Sequence, residues 1–473
     1  MESYDPRLTS RMGLPAFTRP WRVLLPIVPK PRTPMSSSLL MICGFAAMIG
    51  IGAILLALPI ATRTGDSTSP INAVFTSVSA VCVTGLSVVD TADHWSFFGQ
   101  VVILALIQLG GFGFMTSATL FLLAFGRRIG LREKILISES IGISRLGGVV
   151  KVVGLMAVFT VLIEAAGAAC FYLHYSDANP TDTSIWLSAF QSVSAFNNAG
   201  FDLSGNFQSL MPFQRDPLML LITAALIIIG GIGFLVVNDF FRAGGRLPRL
   251  SLDSKIVLVT TVILLVLGTA ILLVTESHNE TTLGAIPFPD RVVNAFFTSV
   301  TARTAGFTTI NLGMVANYAL FFVAILMFIG GASGSTAGGI KVNNFGMLFA
   351  TIWSTVKGRE HAGAFGREFP VSQVNRALTV ALLSLGFVSL ALLLLTLTEG
   401  GARFIDLLFE TVSAFSTVGL STGVTPDLSL AGRIIVIVTM FVGRLGPLTM
   451  VLALVQRQQI AKFRYPQETV RTG

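Results

Sequence analysis

The sequence carries little charge. Asp, Glu, Lys and Arg make up 12% of its 473 residues, which is about half the share usual in a soluble domain. Hydrophobic residues reach 53%, and several apolar runs hold the roughly 20 residues that a helix needs to cross a bilayer core. The composition therefore excludes an ordinary soluble domain and predicts an all-α polytopic membrane protein.

Cysteine and catalytic motifs are scarce as well. No pair among Cys43, Cys82 and Cys170 has the spacing of metal ligands, so we expect no disulfide framework and no zinc site. The sequence lacks an HExxH motif, a Ser/His/Asp arrangement and a glycine-rich phosphate loop after a strand. We therefore expect no enzyme activity, no cofactor in the chain and no nucleic-acid partner. The first apolar run begins near Ser38, behind a basic, proline-rich stretch, so we expect no cleavable signal.

What the sequence does have is a regular alternation of long and short apolar segments. The long segments lie near 39–61, 97–125, 148–174, 216–241, 254–275, 317–350, 373–398 and 431–456. Within each successive pair lies a run of about 12 residues, which is too short to span a membrane. The alternation predicts eight transmembrane helices in four helix–pore-helix–helix repeats.

The four short runs are near-copies of one another. They read NAVFTSVSAVCVTGLS, LSAFQSVSAFNNAGFD, NAFFTSVTARTAGFTT and DLLFETVSAFSTVGLS. Each has a Ser/Thr-Val-Ser/Thr-Ala core and then a glycine (Gly85, Gly200, Gly306 and Gly419), and the third copy is one residue shorter between the two. A single small-residue motif would indicate only close helix packing. Four copies indicate a repeated unit.

A second small-residue element follows each short run. It reads LGGFG at 109–113, IGGIG at 229–233, IGGASG at 329–334 and VGRLG at 442–446. Two elements in the same order give the predicted division of the chain. The parts are an N-terminal tail (1–37), repeat 1 (38–127), repeat 2 (128–243), repeat 3 (244–357), repeat 4 (358–456) and a C-terminal tail (457–473).

Lys and Arg are distributed unevenly along the chain. Of the 32, 25 fall in the two tails and in the loops at 126–151, 242–255 and 341–376. The positive-inside rule therefore puts both termini in the cytoplasm. Six bases, Arg303 among them, are assigned to the outer loops, against 14 acids that include Asp90 and Asp202. This negative charge could concentrate cations at an outer mouth, or acids could simply be tolerated in translocated loops.

Four re-entrant turns around a pseudo-fourfold axis would surround one central pore. Irregular backbone at membrane depth is stable where it lines a water-filled path or is buried in protein. Glycine permits the backbone angles that aim successive carbonyls at an axis, and rings of carbonyls replace the hydration shell of a monovalent cation. The partly negative C-terminal end of each pore helix also favours a cation. We expect Asn197 and Asn198 to brace their turn behind such a filter.

The motifs resemble those of the Trk/Ktr/HKT superfamily of potassium transporters. NNAGF (197–201), RTAGF (303–307) and GGASGSTAGGIK (330–341) carry the resemblance, which covers about residues 38–456. Eight spans without two further N-terminal helices are most similar to the bacterial Ktr membrane subunit, KtrB. By this resemblance the filter carbonyls come from Val83, Thr84 and Gly85; Asn198, Ala199 and Gly200; Thr304, Ala305 and Gly306; and Thr417, Val418 and Gly419. Glycine in all four turns implies potassium selectivity.

The glycine-rich stretch at 330–341 would not continue a helix, since each glycine in a helix interior costs about 1 kcal/mol relative to alanine. The resemblance implies an intramembrane gate loop there, formed by Gly330, Gly331, Ala332, Ser333, Gly334, Ser335, Thr336, Ala337, Gly338, Gly339 and Lys341. Arg444 stands where the other repeats have Gly111, Gly231 and Gly331. An arginine at membrane depth is costly, and the resemblance implies that it constricts the pore and holds the gate loop. The alternative is an arginine paired with a carboxylate.

The resemblance implies potassium uptake at the cell inner (plasma) membrane by a channel-like pore, sodium-activated in many Ktr systems. It also implies a homodimer on a cytoplasmic ring of RCK-type, KtrA-like regulators that bind ATP or ADP. The alternatives are the channel-like subunit of an ATP-driven potassium pump and a sodium-permeable HKT-like transporter. An ion-coupled secondary transporter would show inverted repeats. For Glu164 we expect only a helix-packing hydrogen bond, and for Cys82 only packing.

Overall fold

The computed structural model describes residues 37–113, 116–117, 119, 148–176, 180–359 and 361–447. These residues belong to one compact unit. Apart from Ser37, both predicted tails lie outside the described residues, as does the predicted boundary between repeats 1 and 2 at 127–128.

The described chain is mostly helical. In chain order the helices are α1 (Ser37–Ala57), α2 (Pro70–Val81), α3 (Thr91–His94), α4 (Phe97–Phe112), α5 (Val149–Tyr175), α6 (Thr181–Phe196), α7 (Pro217–Ile232), α8 (Phe234–Arg242), α9 (Leu252–Glu276), α10 (Phe288–Thr301), α11 (Asn317–Phe328), α12 (Val342–Val356), α13 (Val371–Thr398), α14 (Phe404–Ser416) and α15 (Leu430–Leu445). Two short antiparallel strands, β1 (Gly363–Ala364) and β2 (Arg367–Glu368), form a hairpin before α13.

Among the described residues, four helices are long and apolar enough to cross a membrane, namely α1 from Leu39 on, α5, α9 and α13. Their outer faces expose large apolar side chains, such as Ile54, Leu162, Val266 and Leu382. A soluble protein rarely exposes so much contiguous apolar surface, whereas hydrocarbon accepts it. The fold is therefore that of a membrane protein.

In each predicted repeat, the helix that opens the second long segment ends well before the predicted end of that segment. The sequence predicts a break in repeat 3 alone, but α7 and α8 meet at an angle of 88° at Gly233. The helices α4 and α15 end just before Gly113 and Gly446. All three glycines combine φ near +80° with extended ψ, which is not a helical conformation and which residues with a side chain rarely adopt. The count of eight spans stays a prediction.

These broken helices begin at polar caps. Ser96 accepts a hydrogen bond from the Gly99 amide at 3.3 Å, and Asp216 and Ser429 accept similar bonds from amides three residues further on, both at 3.1 Å. Such caps satisfy amides that have no partner inside the helix. They fix where each helix starts after the irregular outer loops.

The short helices α2, α6, α10 and α14 form the centre of the protein. Nearly all side chains in their second halves are buried. We call each predicted repeat a group. Each short helix packs against the long helix before it and against the helix that opens the second long segment of the preceding group: α6 against α4, α10 against α7 and α14 against α11. α2 packs against α15, so the succession of contacts closes on itself.

Candidate ion pathway

Four turns with the same backbone conformation follow the short helices. Val83, Asn198, Thr304 and Thr417 all have φ between 50° and 73°, and each lies two residues before a glycine that also has positive φ. Residues with a side chain seldom adopt this conformation, and backbone strain of this kind concentrates at functional sites. The four triplets that the sequence analysis assigned to a filter, 83–85, 198–200, 304–306 and 417–419, therefore share one geometry.

The repeated Ser/Thr-Val-Ser/Thr-Ala core has two structural roles. The first hydroxyl ties its short helix to the preceding long helix: Ser77 donates to Ile49 O at 2.7 Å, Ser192 to Glu164 O at 2.7 Å and Ser299 to Leu265 O at 3.0 Å. In the fourth copy Thr411 instead donates to Leu407 of its own helix. This hydroxyl therefore fixes the short helix in three of the four copies.

The third residue of the core, which carries its second hydroxyl, supports the turn. The amides of Gly85 and Gly419 donate to the hydroxyls of Ser79 and Ser413, both at 3.1 Å. The amide before each of these glycines donates to the carbonyl of the same serine, at 2.8 and 2.9 Å. These bonds hold the amide groups on one side of the turn. The carbonyl oxygens of the turn can therefore point to the opposite side.

The four glycines of the turns lie against one another in a ring. A Cβ atom on Gly85 would lie 3.0 Å from Gly200 Cα, and one on Gly200 would lie 3.0 Å from Gly306 Cα. A Cβ on Gly306 would lie 3.2 Å from Gly419 Cα, and one on Gly419 would lie 3.1 Å from Gly85 Cα. Ordinary carbon contacts are about 3.5–4.0 Å. The ring therefore has room for glycine alone.

Carbonyl oxygens line this ring. The Ala199 oxygen lies beside Gly85, the Ala305 oxygen beside Gly200, the Val418 oxygen beside Gly306 and the Thr84 oxygen beside Gly419. Each comes from the middle residue of a neighbouring triplet. The arrangement brings four main-chain oxygens from four distant parts of the sequence to one place.

The second small-residue motif packs against the ends of the short helices. A Cβ on Gly110, Gly230 or Gly443 would lie 2.6–3.1 Å from the carbonyl carbon of Val81, Phe196 or Phe415 respectively. Only glycine lets the broken helices approach this closely. In the third group the matching Gly330 faces the Gly338 carbonyl of the predicted gate loop instead.

The predicted gate loop is a folded segment with defined contacts. Its two ends pair through Gly330 N to Ile340 O at 2.8 Å and Val342 N to Gly331 O at 2.9 Å. Ala332 N donates to Gly231 O of α7 at 2.9 Å. Further along, Gly338 and Gly339 lie against Ser416 and Thr417, so that the loop reaches the start of the fourth triplet.

Arg444 joins this loop to the rest of the site. Its guanidinium donates to the carbonyls of Thr336 in the loop and of Gly110 in α4. No carboxylate of the described residues forms an ion pair with it. The geometry therefore brings together Arg444 and the gate loop, as the resemblance implied, while the effect of Arg444 on ion flow stays a prediction.

Arg303 is buried inside the protein, so the prediction that it is an outer base is wrong. The side chain is 8% exposed, and its Nη2 donates to Gly330 O at 3.3 Å. It lies just after α10, where the third copy is one residue shorter than the others. That missing residue was the signal in the sequence that could have marked Arg303 as internal.

Glu164 also has more contacts than the sequence predicts. Its carboxyl oxygens accept hydrogen bonds from Asn197 Nδ2 at 2.9 Å and from Gln108 Nε2 at 3.3 Å. Asn197 directly precedes the second triplet, and with its amide nitrogen turned inward Asn198 donates to Phe196 O at 3.3 Å. The side chains of both asparagines therefore lie behind the turn. Asn197 is held there by Glu164, and nothing in the sequence indicates this contact.

Similarity to known proteins identifies the family of this chain. Residues 45–463 match the family model described as TrkH, cation transport protein. This chain belongs to the TrkH family of cation transport proteins. It is 38% identical to the potassium/sodium uptake protein NtpJ of Enterococcus hirae, over 93% of the chain and 98% of that protein.

Other members of this TrkH family are similar over most of their length. The chain is 40% identical to the Ktr system potassium uptake protein B of Bacillus subtilis, over 91% of the chain and 95% of that protein. The crystal structure of the potassium transporter TrkH from Vibrio parahaemolyticus matches with a TM-score of 0.71 at 19% identity, over 90% of this chain and 86% of that one. At this identity the structural match establishes a shared fold.

Proposed function

We propose that this TrkH-family protein takes up potassium ions through a central pore whose filter is the ring of four glycines. The observation that carries the proposal is that four triplets with one unusual backbone conformation meet at this ring with their middle carbonyls. Carbonyl oxygens substitute for the water around a monovalent cation. The similar proteins from Enterococcus hirae and Bacillus subtilis are named as uptake proteins for potassium or potassium and sodium.

The proposed transport unit has eight spans in four repeats around a pseudo-fourfold axis, with both termini in the cytoplasm. Glycine at all four filter positions favours potassium over sodium. The gate loop closes the path between the filter and the cytoplasm, and Arg444 raises the barrier there for a cation. Its contact with Thr336 supports this part, because an arginine that also holds the loop links the charge barrier to the gate.

Regulation is proposed to come from a separate cytoplasmic partner. The sequence has no phosphate loop of its own, so ATP or ADP would bind an RCK-type ring beneath a homodimer of this chain. Sodium activation belongs to the same proposal. The similarity to a protein named as part of a Ktr system supports it.

The filter assignment is tested by potassium uptake in a host strain that lacks its own uptake systems. Gly306→Ser is expected to abolish rescue at low potassium, because a Cβ there has no room beside Gly419 and the φ of +83° strains any side chain. The matched control is Gly65→Ser, which has a similar φ of +79° but open space around it. Equal rescue by Gly306→Ser and the parent would remove the basis of the filter assignment.

A second candidate function is uptake of sodium together with potassium. The relative from Enterococcus hirae that is named for both ions favours it. Competition by sodium against labelled potassium uptake separates the two. A selective filter is expected to ignore a hundredfold excess of sodium, whereas a shared path would slow potassium uptake in proportion to sodium.

A further inference from the structure

The end of the third short helix differs from the other three in a way that the filter alone does not require. α10 is followed after one residue by Arg303, and the third copy is one residue shorter there. We propose that Arg303 is a positioning residue that fixes the start of the gate loop to the third filter triplet, and so couples the gate to the filter. The inference rests on the proposed function and adds a residue to its gate.

The environment of Arg303 leaves few partners for its charge. The side chain is buried, and no described carboxylate forms an ion pair with it. Nη2 donates to Gly330 O, the first carbonyl of the gate loop. Nε of the same guanidinium is buried without a hydrogen-bond partner among the described residues. The bond to Gly330 O is therefore what ties this side chain to the gate loop.

The contact at the end of the short helix differs between the third predicted repeat, which contains Arg303, and the other three. There the first glycine of the second motif packs directly on the carbonyl end of the short helix, as Gly110 does on Val81 and Gly443 on Phe415. Beside Gly330 that space holds the Gly338 carbonyl of the gate loop. A direct contact between two helices is thus exchanged for a contact within the gate loop, and the Arg303 side chain ties that loop to the end of α10. A side chain can keep hold of the loop through changes of a few ångströms that a backbone contact would not tolerate.

The two arginines hold different parts of the loop. Arg303 contacts Gly330, where the loop ends pair with each other, and Arg444 contacts Thr336 near the middle. In a loop that moves to open the path, the paired ends form the hinge and the middle travels farther. Arg303 therefore acts at the hinge, next to Thr304 of the filter, and Arg444 acts as a releasable contact.

Thr261 supplies a matched control. It lines the same small cavity as Arg303, together with Ile227, Gly231 and Gly331, and its side chain is buried. Thr261→Val has nearly the same volume and changes the polarity beside the guanidinium without touching Gly330. Damage caused merely by disturbing this part of the core would appear in both variants, whereas loss of the gate contact is confined to Arg303.

The test measures potassium and sodium flux into liposomes that contain the purified full-length protein. Arg303→Gln is expected to raise flux about tenfold and to lower the preference for potassium. A hydrogen bond from a charged donor typically changes an equilibrium, here that between the closed and the open loop, by about a factor of ten. Arg303→Lys keeps the charge with a shorter reach and is expected to lie between Gln and the parent. Thr261→Val is expected to match the parent.

The decisive step repeats these measurements in a variant that lacks residues 334–336 of the gate loop. If Arg303 acts through the gate, its replacement has no further effect once the loop cannot close. Parental flux in Arg303→Gln, or an equal effect with and without the deletion, overturns the inference. If Arg303→Gln does not reach the membrane, Arg303→Lys is judged by the same two criteria. A failed filter would appear separately, as a Gly306→Ser variant that transports like the parent.

Discussion

The ring of glycines and the layer formed by the second small-residue motif follow opposite rules. At the ring the four groups are alike: Gly85, Gly200, Gly306 and Gly419 share one conformation and occupy equivalent places. In the other layer they differ, because one group carries an arginine and another a folded loop. An ion needs the same coordination from every side of a filter, whereas one obstruction on one side is enough to stop it. Under the proposed function, selection therefore needs symmetry around the axis, whereas gating does not.

The largest expected effect comes from removing the charge of Arg444, which stands where the other repeats have an uncharged glycine. Arg444→Gln removes the charge and weakens the contacts with Thr336 and Gly110. A unit charge about 8 Å from the path of an ion raises its barrier by about 2 kcal/mol at an effective dielectric constant of 20, which corresponds to about 30-fold in rate. We expect potassium flux into liposomes to rise by about this factor.

The control for Arg444 is an arginine far from the gate loop. Arg63→Gln removes an exposed charge near the end of α1 and is expected to leave the flux unchanged. Flux that stays at the parental level in Arg444→Gln would contradict the idea that this layer obstructs ions by charge.

A smaller effect is expected where a buried acid supports only one of the four turns. In Glu164→Gln one accepting oxygen becomes a donor, which faces the amide groups of Asn197 and Gln108. A buried donor that loses its acceptor costs about 1–3 kcal/mol. We expect a lower melting temperature and about a tenfold loss of preference for potassium over sodium.

Glu280→Gln, at an exposed outer position, is the matched control for Glu164. It should alter neither the melting temperature nor the preference between ions. A Glu164→Gln variant that loses stability and keeps full selectivity would restrict Glu164 to packing, which is the part that the sequence alone assigned to it.

The sequence predicted best those features that are repeated four times. The short helices, their glycines and the triplets were readable because each copy checks the others. The membrane character followed from the apolar segments, four of which form long continuous helices in the described part of the chain. The breaks at Gly113, Gly233 and Gly446 were missed, since an apolar segment that bends looks the same in sequence as one that runs straight.

Features that occur once were harder to predict. Arg303 was assigned to an outer loop because charge counting treats every arginine near a turn as exposed, whereas here the side chain is buried and bonded to Gly330 O. The contact between Glu164 and Asn197 joins residues 33 positions apart, and no pattern marks such a pair. Arg444 was recognised because it interrupts a repeated glycine motif.

The smallest effect is expected at Asp202, which follows the second triplet by two residues and lies between α6 and α7. Burial and, to a lesser degree, the negative charge of Asp90 raise the pKa of Asp202 to about 6, although hydrogen bonds from Ser204 oppose this. The carboxylate is therefore mostly charged at pH 7 and mostly neutral at pH 5. One charge about 10 Å away in water changes the energy of a cation by about 0.4 kcal/mol, which is about twofold in affinity.

Lowering the pH from 7 to 5 should therefore raise the KM for potassium uptake by about twofold, and salt should weaken the effect through screening. Asp202→Asn should show the higher KM at both pH values, whereas Asp182→Asn, at the exposed start of α6, should keep the parental pH response. An unchanged pH response in Asp202→Asn would mean that the charge of Asp202 does not attract the entering cation. Selection would then begin at the glycine ring itself, where all four groups are alike.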